Sequence, residues 1–134
     1  MRVKWPNDLV DADGRKLAGI LAEVEAAEGD RVAWVVLGVG LNVNRTGFDG
    51  LPNATSLALL RGGPLDREVT FQHVRASILA GADAPDRLDL WRARALTLGR
   101  WVRVGGVEGL AEGIREDGAL IVGGVAVTTG EIGL

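Results

Sequence analysis

Two stretches of alternating character, residues 16–27 and 31–41, leave little choice of architecture. Each is too long and too regular at period two to be anything but a strand, and only Glu28-Gly29-Asp30 separates them. They predict an antiparallel ladder with a tight turn at its far end. In the first strand Ala18, Ile20, Ala22, Val24 and Ala26 share one face. Leu17, Gly19, Leu21, Glu23 and Glu25 share the other, which turns acidic as expected where a sheet emerges into solvent. In the second strand the odd positions Val35, Leu37, Val39 and Leu41 are apolar and are expected to form core. The even positions run Val32, Trp34, Val36, Gly38, Gly40 and Asn42, a face that loses its side chains and then ends on an amide. Such a face lets a flat group approach the backbone, and the Asn42 amide offers the donor and acceptor that match an adenine edge.

The residues before this ladder carry its charge. Residues 1–9 read as a short strand leading into Lys4-Trp5-Pro6-Asn7-Asp8-Leu9, and Asp11-Ala12-Asp13-Gly14 forms a polar loop before Gly14-Arg15-Lys16-Leu17-Ala18-Gly19-Ile20-Leu21. Pro6 fixes its own φ and restricts Trp5, while Asn7 and Asp8 are residues that cap and turn. Folding the two ends together gathers Lys4, Asp8 and Lys16 in one region. Amines there neutralise phosphate or carboxylate oxygens, and the carboxylate holds a divalent ion or positions a reacting amine. Strict alternation sets Lys16 on the face opposite Gly19. Either the strand begins with a bulge or Lys16 reaches round from the hairpin end.

Residues 43–56, rich in Asn, Gly and Pro, form a loop long enough to cover a site. Ser56 is placed to cap a short helix to Leu60, and Arg61-Gly62-Gly63-Pro64 ends it. Asp66 or Thr70 starts an amphipathic helix reaching about Ala82, and Pro85 opens another over residues 86–98. Leu88, Trp91, Ala95 and Leu98 recur at helical spacing, so these helices are expected to pack over the apolar sheet face. Beyond Gly99 short strands alternate with glycine turns: 101–104, 107–114, 120–122, 125–129 and 131–134. Asp117-Gly118 is the strongest hairpin signal among them. The expectation is a small antiparallel barrel or meander that leans on the first part for stability. The chain divides accordingly into residues 1–99 and 100–134.

Composition narrows the chemistry. With no cysteine, disulfides and cysteine-based zinc sites are excluded, and no apolar run is long enough to cross a membrane. A net charge of −3 argues against a nonspecific nucleic-acid binder. Cytoplasm is the expected location. His73 has no cysteine or second histidine to join it and reads as a solvent-facing helix residue. With two Phe and no Tyr, the four Trp are the large aromatic anchors.

The opening KWPNDL, the GRKLAGIL that follows, GVGLNVN at residues 38–44, ATSL at 54–57 and EGIREDGALIV with its closing GEIGL resemble, in that order, the biotin protein ligases. KWPND followed by RKLAGIL and GxGxN at this spacing is the specific part. The resemblance implies an α+β fold: a mixed or antiparallel sheet with helices packed on one face, class II synthetase-like and incomplete here, followed by a small antiparallel β-barrel. It implies formation of biotinyl-adenylate from biotin and ATP with Mg2+, then transfer to a lysine of a biotin carboxyl carrier protein.

By the same resemblance Lys16 contacts the biotin carboxylate and the bridging phosphate, and Lys4 lies near the triphosphate. Asp8, with Asn7 beside it, serves the metal or the incoming lysine. Asn42 reads adenine, with Gly38 and Gly40 giving clearance, and Gly19 floors the biotin pocket. Family members also carry a glycine- and arginine-rich segment of the GRGRRG type upstream of KWPND. This chain, opening at Met1-Arg2-Val3-Lys4, is therefore expected to be a ligase begun partway through its catalytic domain. Its partners would then include a complementing N-terminal half or a second copy in a homodimer. Two other readings stand beside this one: a noncatalytic binding or dimerisation module, and a lipoate-ligase-like enzyme.

Overall fold

The computed structural model describes residues 1–26, 29 and 31–133. The expected turn at Glu28-Gly29-Asp30 and the terminal Leu134 thus lie largely outside the described residues. Alternation produces the anticipated ladder: β3 (Lys16–Ala26) pairs antiparallel with β4 (Val32–Leu41), setting Gly19 opposite Gly40 and Leu21 opposite Gly38. Ahead of them the chain departs from expectation. Residues 1–9 do not make one strand but contribute to two, β1 (Arg2–Lys4) and β2 (Asp8–Val10), folded on each other around the Trp5-Pro6-Asn7 turn, which contains a cis Trp5–Pro6 peptide. Three-residue strands are too short for alternation to reveal. The first sheet is wholly antiparallel, in the order β1-β2-β3-β4.

Three helices follow. α1 (Leu57–Arg61) is capped by Ser56, whose side chain accepts from the Leu59 N–H. α2 (Arg67–Gly81) is capped by Asp66, which accepts from the Val69 N–H. α3 (Arg87–Arg94) ends four residues before its expected boundary. Ala95 is captured there in a parallel bridge with Val3, and the Leu96 N–H donates to the Val3 carbonyl at 2.8 Å.

The expected packing of these helices over the sheet needs correction. α2 has no buried residue, and between it and the odd face of β4 lies an open hollow of about 430 Å³ lined by Leu37, Val39, Leu41, Phe71 and Ile78. Nor do the odd positions of β4 form core, since Val35 is 54% exposed and Leu37 43%. α3 turns its apolar side elsewhere: Trp91, and Leu98 beyond it, pack against the core of the C-terminal sheet.

That second sheet, β5 (Trp101–Val104), β6 (Val107–Ile114), β7 (Leu120–Val122) and β8 (Val125–Val127), is an antiparallel meander in sequence order. It is not a closed barrel. The expected strand 125–129 stops at Val127, and the expected strand 131–134 is reduced to a bridge between Gly133 and Arg103. Gly118, at φ +85°, makes the β6–β7 turn, and the Ala119 N–H donates to Asp117 Oδ1. The core of this sheet is Val102, Val104, Ala111, Leu120, Val122 and Ile132, with Trp5 of the first sheet inserted among them. The Trp5 indole N–H donates to the Gly118 carbonyl at 2.9 Å, and its backbone N–H to the buried Thr97 hydroxyl at 3.0 Å. One side chain therefore joins the opening turn to the C-terminal sheet.

A lysine–aspartate cleft beside a glycine floor

The start of β3 is fastened before it reaches the site. Asp11 is buried and accepts hydrogen bonds from the backbone N–H groups of Asp13 and Arg15 and from the Arg15 guanidinium at 2.7 Å. Burial pulls its carboxyl pKa upward, but these hydrogen bonds and the Arg15 charge outweigh it and hold the group below the ordinary carboxylate value. On the other side the Lys16 N–H donates to the Asn53 carbonyl at 2.7 Å, and the Thr55 N–H to the Lys16 carbonyl at 2.8 Å.

Within this frame the conflict between Lys16 and Gly19 resolves as a bulge. Leu9 pairs with Ala18, but Val10 pairs with Lys16, so Leu17 is the extra residue and the side chains before it change face. The Lys16 ammonium swings over Gly19, where a Cβ would meet Nζ at 3.3 Å, and stands 2.6 Å from Asp8 Oδ1. That contact is an ion pair, and it is what the buried Oδ1 has for a partner among the described residues. Lys16 is half exposed, whereas Asp8 is largely covered.

Two hollows meet at this pair. One, of about 400 Å³, has Gly19, Gly40 and Asn42 on its sheet side and residues from the 43–56 loop opposite, among them Arg45, Phe48 and Leu51. The Arg45 guanidinium lies 4.8 Å from the centre of the Phe48 ring. The loop is pinned at its root, where both ends of the Asn44 amide bond the backbone of Leu65. The second hollow, of about 370 Å³, is lined by Lys4, Asp8, Asp13, Lys16, Asn53 and Arg100, together with smaller and apolar neighbours. Lys16 belongs to both.

The structure thus brings together Lys4, Asp8, Lys16, Gly19, Gly40 and Asn42. It does not bring Gly38 to either hollow; that residue faces the Leu21 backbone. Asn7 lines neither hollow; its side-chain amide N–H donates to the Ile20 carbonyl at 2.8 Å, and its backbone carbonyl accepts from the Ile20 N–H at 2.9 Å. The Asn42 amide nitrogen donates to the Thr55 carbonyl at 3.0 Å, which leaves its oxygen as the free end. Arg45, Phe48 and Arg100 were not singled out from the sequence. The aromatic within the cover loop was the one signal pointing to Phe48; Arg100 had none, because its approach depends on the docking of the C-terminal sheet.

The chain that carries these features is similar to the biotin and lipoate protein ligases. Residues 1–42 match the Biotin/lipoate A/B protein ligase family. Within that class the chain is related to the biotin protein ligases, an enzyme family. It is 42% identical to the biotin--[acetyl-CoA-carboxylase] ligase of Mycobacterium tuberculosis, over 97% of this chain and 52% of that protein. It is 35% identical to the bifunctional ligase/repressor BirA of Bacillus spizizenii, over 90% of this chain and 41% of that protein. Its fold matches the apo structure of biotin protein ligase from Aquifex aeolicus with a TM-score of 0.75, at 22% identity, over 99% of this chain and 64% of that one. The chain spans about half the length of the curated relatives it matches. Among the described residues no helix is long and apolar enough to cross a membrane.

Proposed function

We propose that the chain is the acyl- and nucleotide-handling part of a cytoplasmic biotin–protein ligase. Such an enzyme forms biotinyl-adenylate from biotin and ATP and passes the biotinyl group to a lysine of a biotin carboxyl carrier protein. The observation that carries this reading is the Lys16–Asp8 pair at 2.6 Å, seated between two hollows and over a glycine that leaves room for it. In the first half-reaction a biotin carboxylate oxygen attacks the α-phosphorus, the bond to the bridging oxygen breaks, and pyrophosphate leaves. Lys16 neutralises the carboxylate on approach and the charge that develops on the phosphoryl oxygens, where a fixed cation acts most strongly. Asp8 holds Lys16 in that orientation. In the second half-reaction the acceptor amine attacks the acyl carbonyl, AMP leaves, and Asp8, beside Lys16, accepts the amine's proton.

Gly19 and Gly40 give the adenylate clearance, the free Asn42 oxygen accepts from the adenine amino group, and Phe48 with Arg45 closes over the base. Lys4 attends the polyphosphate. Magnesium fits this site in company with phosphates: Asp8 offers one carboxylate, and among the described residues no three His, Asp or Glu side chains converge on a common point. A cation that takes one or two carboxylates and completes its shell with phosphate oxygens and water suits that donor set. Asp8 would hold it, and when bound it supplies charge neutralisation at the phosphates.

Isothermal calorimetry with biotinyl-adenylate tests the reading. The wild-type chain is expected to bind, Lys16→Ala to abolish binding, and Asn42→Ala to weaken it about tenfold. No heat from the wild-type chain sinks the proposal, and equal competition by lipoyl-adenylate would move it to the lipoate branch. One observation favours a second reading, a noncatalytic binding or dimerisation module: Trp34, Val35, Val36 and Leu37, on both faces of β4, are exposed, as are Val69, Phe71, Ile78 and Leu79 of α2. The same surface suits a complementing N-terminal half.

A further inference from the structure

We propose that Arg100 is the third cation of a polyphosphate seat, in which the pyrophosphate end of a nucleotide lies in the hollow between the first sheet and the start of the C-terminal sheet. The inference rests on the adenylate-forming reading above for its ligand, but the seat itself is argued from charge. Three cations line this hollow, Lys4, Lys16 and Arg100, with two carboxylates, Asp8 and Asp13. Both carboxylates are taken: Asp8 by Lys16, and Asp13 by the Arg15 guanidinium at 3.3 Å. Among the described residues neither Lys4 nor Arg100 has a carboxylate within 4.0 Å. Two uncompensated cations sharing one hollow repel each other, and in a chain of net charge −3 there is no shortage of carboxylates to relieve them. The arrangement is suited to a multiply charged anion.

The shape of the site says which end of the nucleotide lies here. Lys16 borders both hollows, so a nucleotide whose base occupies the glycine-floored one sets its α-phosphoryl at Lys16 and its remaining phosphates among Lys4 and Arg100. Arg100 brings a planar fork of N–H donors that bonds two phosphate oxygens at once, while the lysines act as point charges. Its backbone is fixed by the C-terminal sheet: the Ala111 N–H donates to its carbonyl at 2.8 Å, and its own N–H donates to Thr97, whose hydroxyl receives Trp5. The C-terminal sheet would thereby contribute a binding residue to a site otherwise built on the first sheet.

Titration calorimetry of the full chain with inorganic pyrophosphate, run beside biotinyl-adenylate, tests the seat. Arg100→Gln is expected to weaken pyrophosphate binding about tenfold and to flatten its salt dependence, Arg100→Lys to recover part of the loss, and both to leave biotinyl-adenylate binding unchanged, since that ligand has no β- or γ-phosphate. Arg103→Gln, which removes an exposed arginine held by Glu108 on the same sheet, controls for loss of charge alone. Pyrophosphate binding unchanged by Arg100→Gln, or absent from the wild-type chain, overturns the seat. If biotinyl-adenylate still binds in that case, the ligase reading survives without it. If pyrophosphate binds through Arg100 but biotinyl-adenylate does not, the seat stands and the ligase reading falls.

Discussion

A single extra residue, Leu17, decides whether the charged end of β3 faces the glycine floor. Period-two alternation assigned Lys16 and Gly19 to opposite faces, and that is correct for a regular strand. A bulge is a property of the pairing with β2 and leaves no mark in the β3 sequence itself, so the sequence posed the conflict without resolving it. Asp11 holds the loop that leads into the bulge, and its chemistry sets a pH dependence. Its folded-state pKa is depressed, so its stabilisation is fully present above the ordinary carboxylate value of 3.8 and is lost as pH falls through the folded value. Arg15 is 44% exposed, so solvent screens the ion pair and the buried hydrogen bonds carry most of the effect. Asp11→Asn is expected to cost about 1–2 kcal/mol at neutral pH. Urea titrations of both proteins should converge as the pH is lowered below 3.8, and a gap of constant size would show that the carboxylate charge is not what matters.

Elements were legible where their signals are local. The helix starts follow from Ser56, from Asp66, one of the two starts open beside Thr70, and from the Pro85-Asp86 pair, and β5, β6 and β7 lie where alternation and glycine turns put them. Signals failed where a distant segment intervened. Ala95 leaves the helix because Val3 claims its backbone, and Trp91 turns from the first sheet because the C-terminal core offers it cover. Trp5 is the joint between these distant parts, since it is 2% exposed, fills the C-terminal core, and reaches both Gly118 and Thr97. Trp5→Ala is expected to destabilise the chain by about 3–5 kcal/mol, the usual cost of emptying a large aromatic site. The sharper measurement is hydrogen exchange. Because one side chain serves two sheets, protection should fall together at the β1–β2 pairing and at the Ala111 N–H, and loss confined to one sheet would show that the two are joined by something else.

At the scale of the molecule, burial is uneven in a way the pattern of residues did not disclose. Alternation identifies side chains that favour cover and says nothing about what provides it. The C-terminal sheet has its cover in Trp5, Trp91 and Ile132. The outer part of the β3–β4 ladder has none among the described residues: Val35 and Val36, on opposite faces of β4, are both more than half exposed, and α2 stands off across its hollow with Phe71 and Leu79 exposed. Among the described residues β4 is also an edge strand, paired with β3 alone. An apolar edge with unpaired N–H and C=O groups is a template for another strand, and natural edges usually guard against this with charge. The charges of the outer ladder sit at Glu23 and Glu25 on β3, opposite Val36 and Trp34, and none of the residues of β4 is charged. Sedimentation velocity of the isolated chain should therefore show association that grows with concentration. Val35→Lys, which places an ammonium on the unguarded edge strand, should shift the chain toward monomer while leaving the melting of the C-terminal sheet intact. Added salt separates the contributions further, because apolar and backbone pairing withstands it whereas an association carried by surface charge weakens. A wild-type chain that sediments as a monomer at high concentration would mean that the exposed ladder is tolerated as it stands.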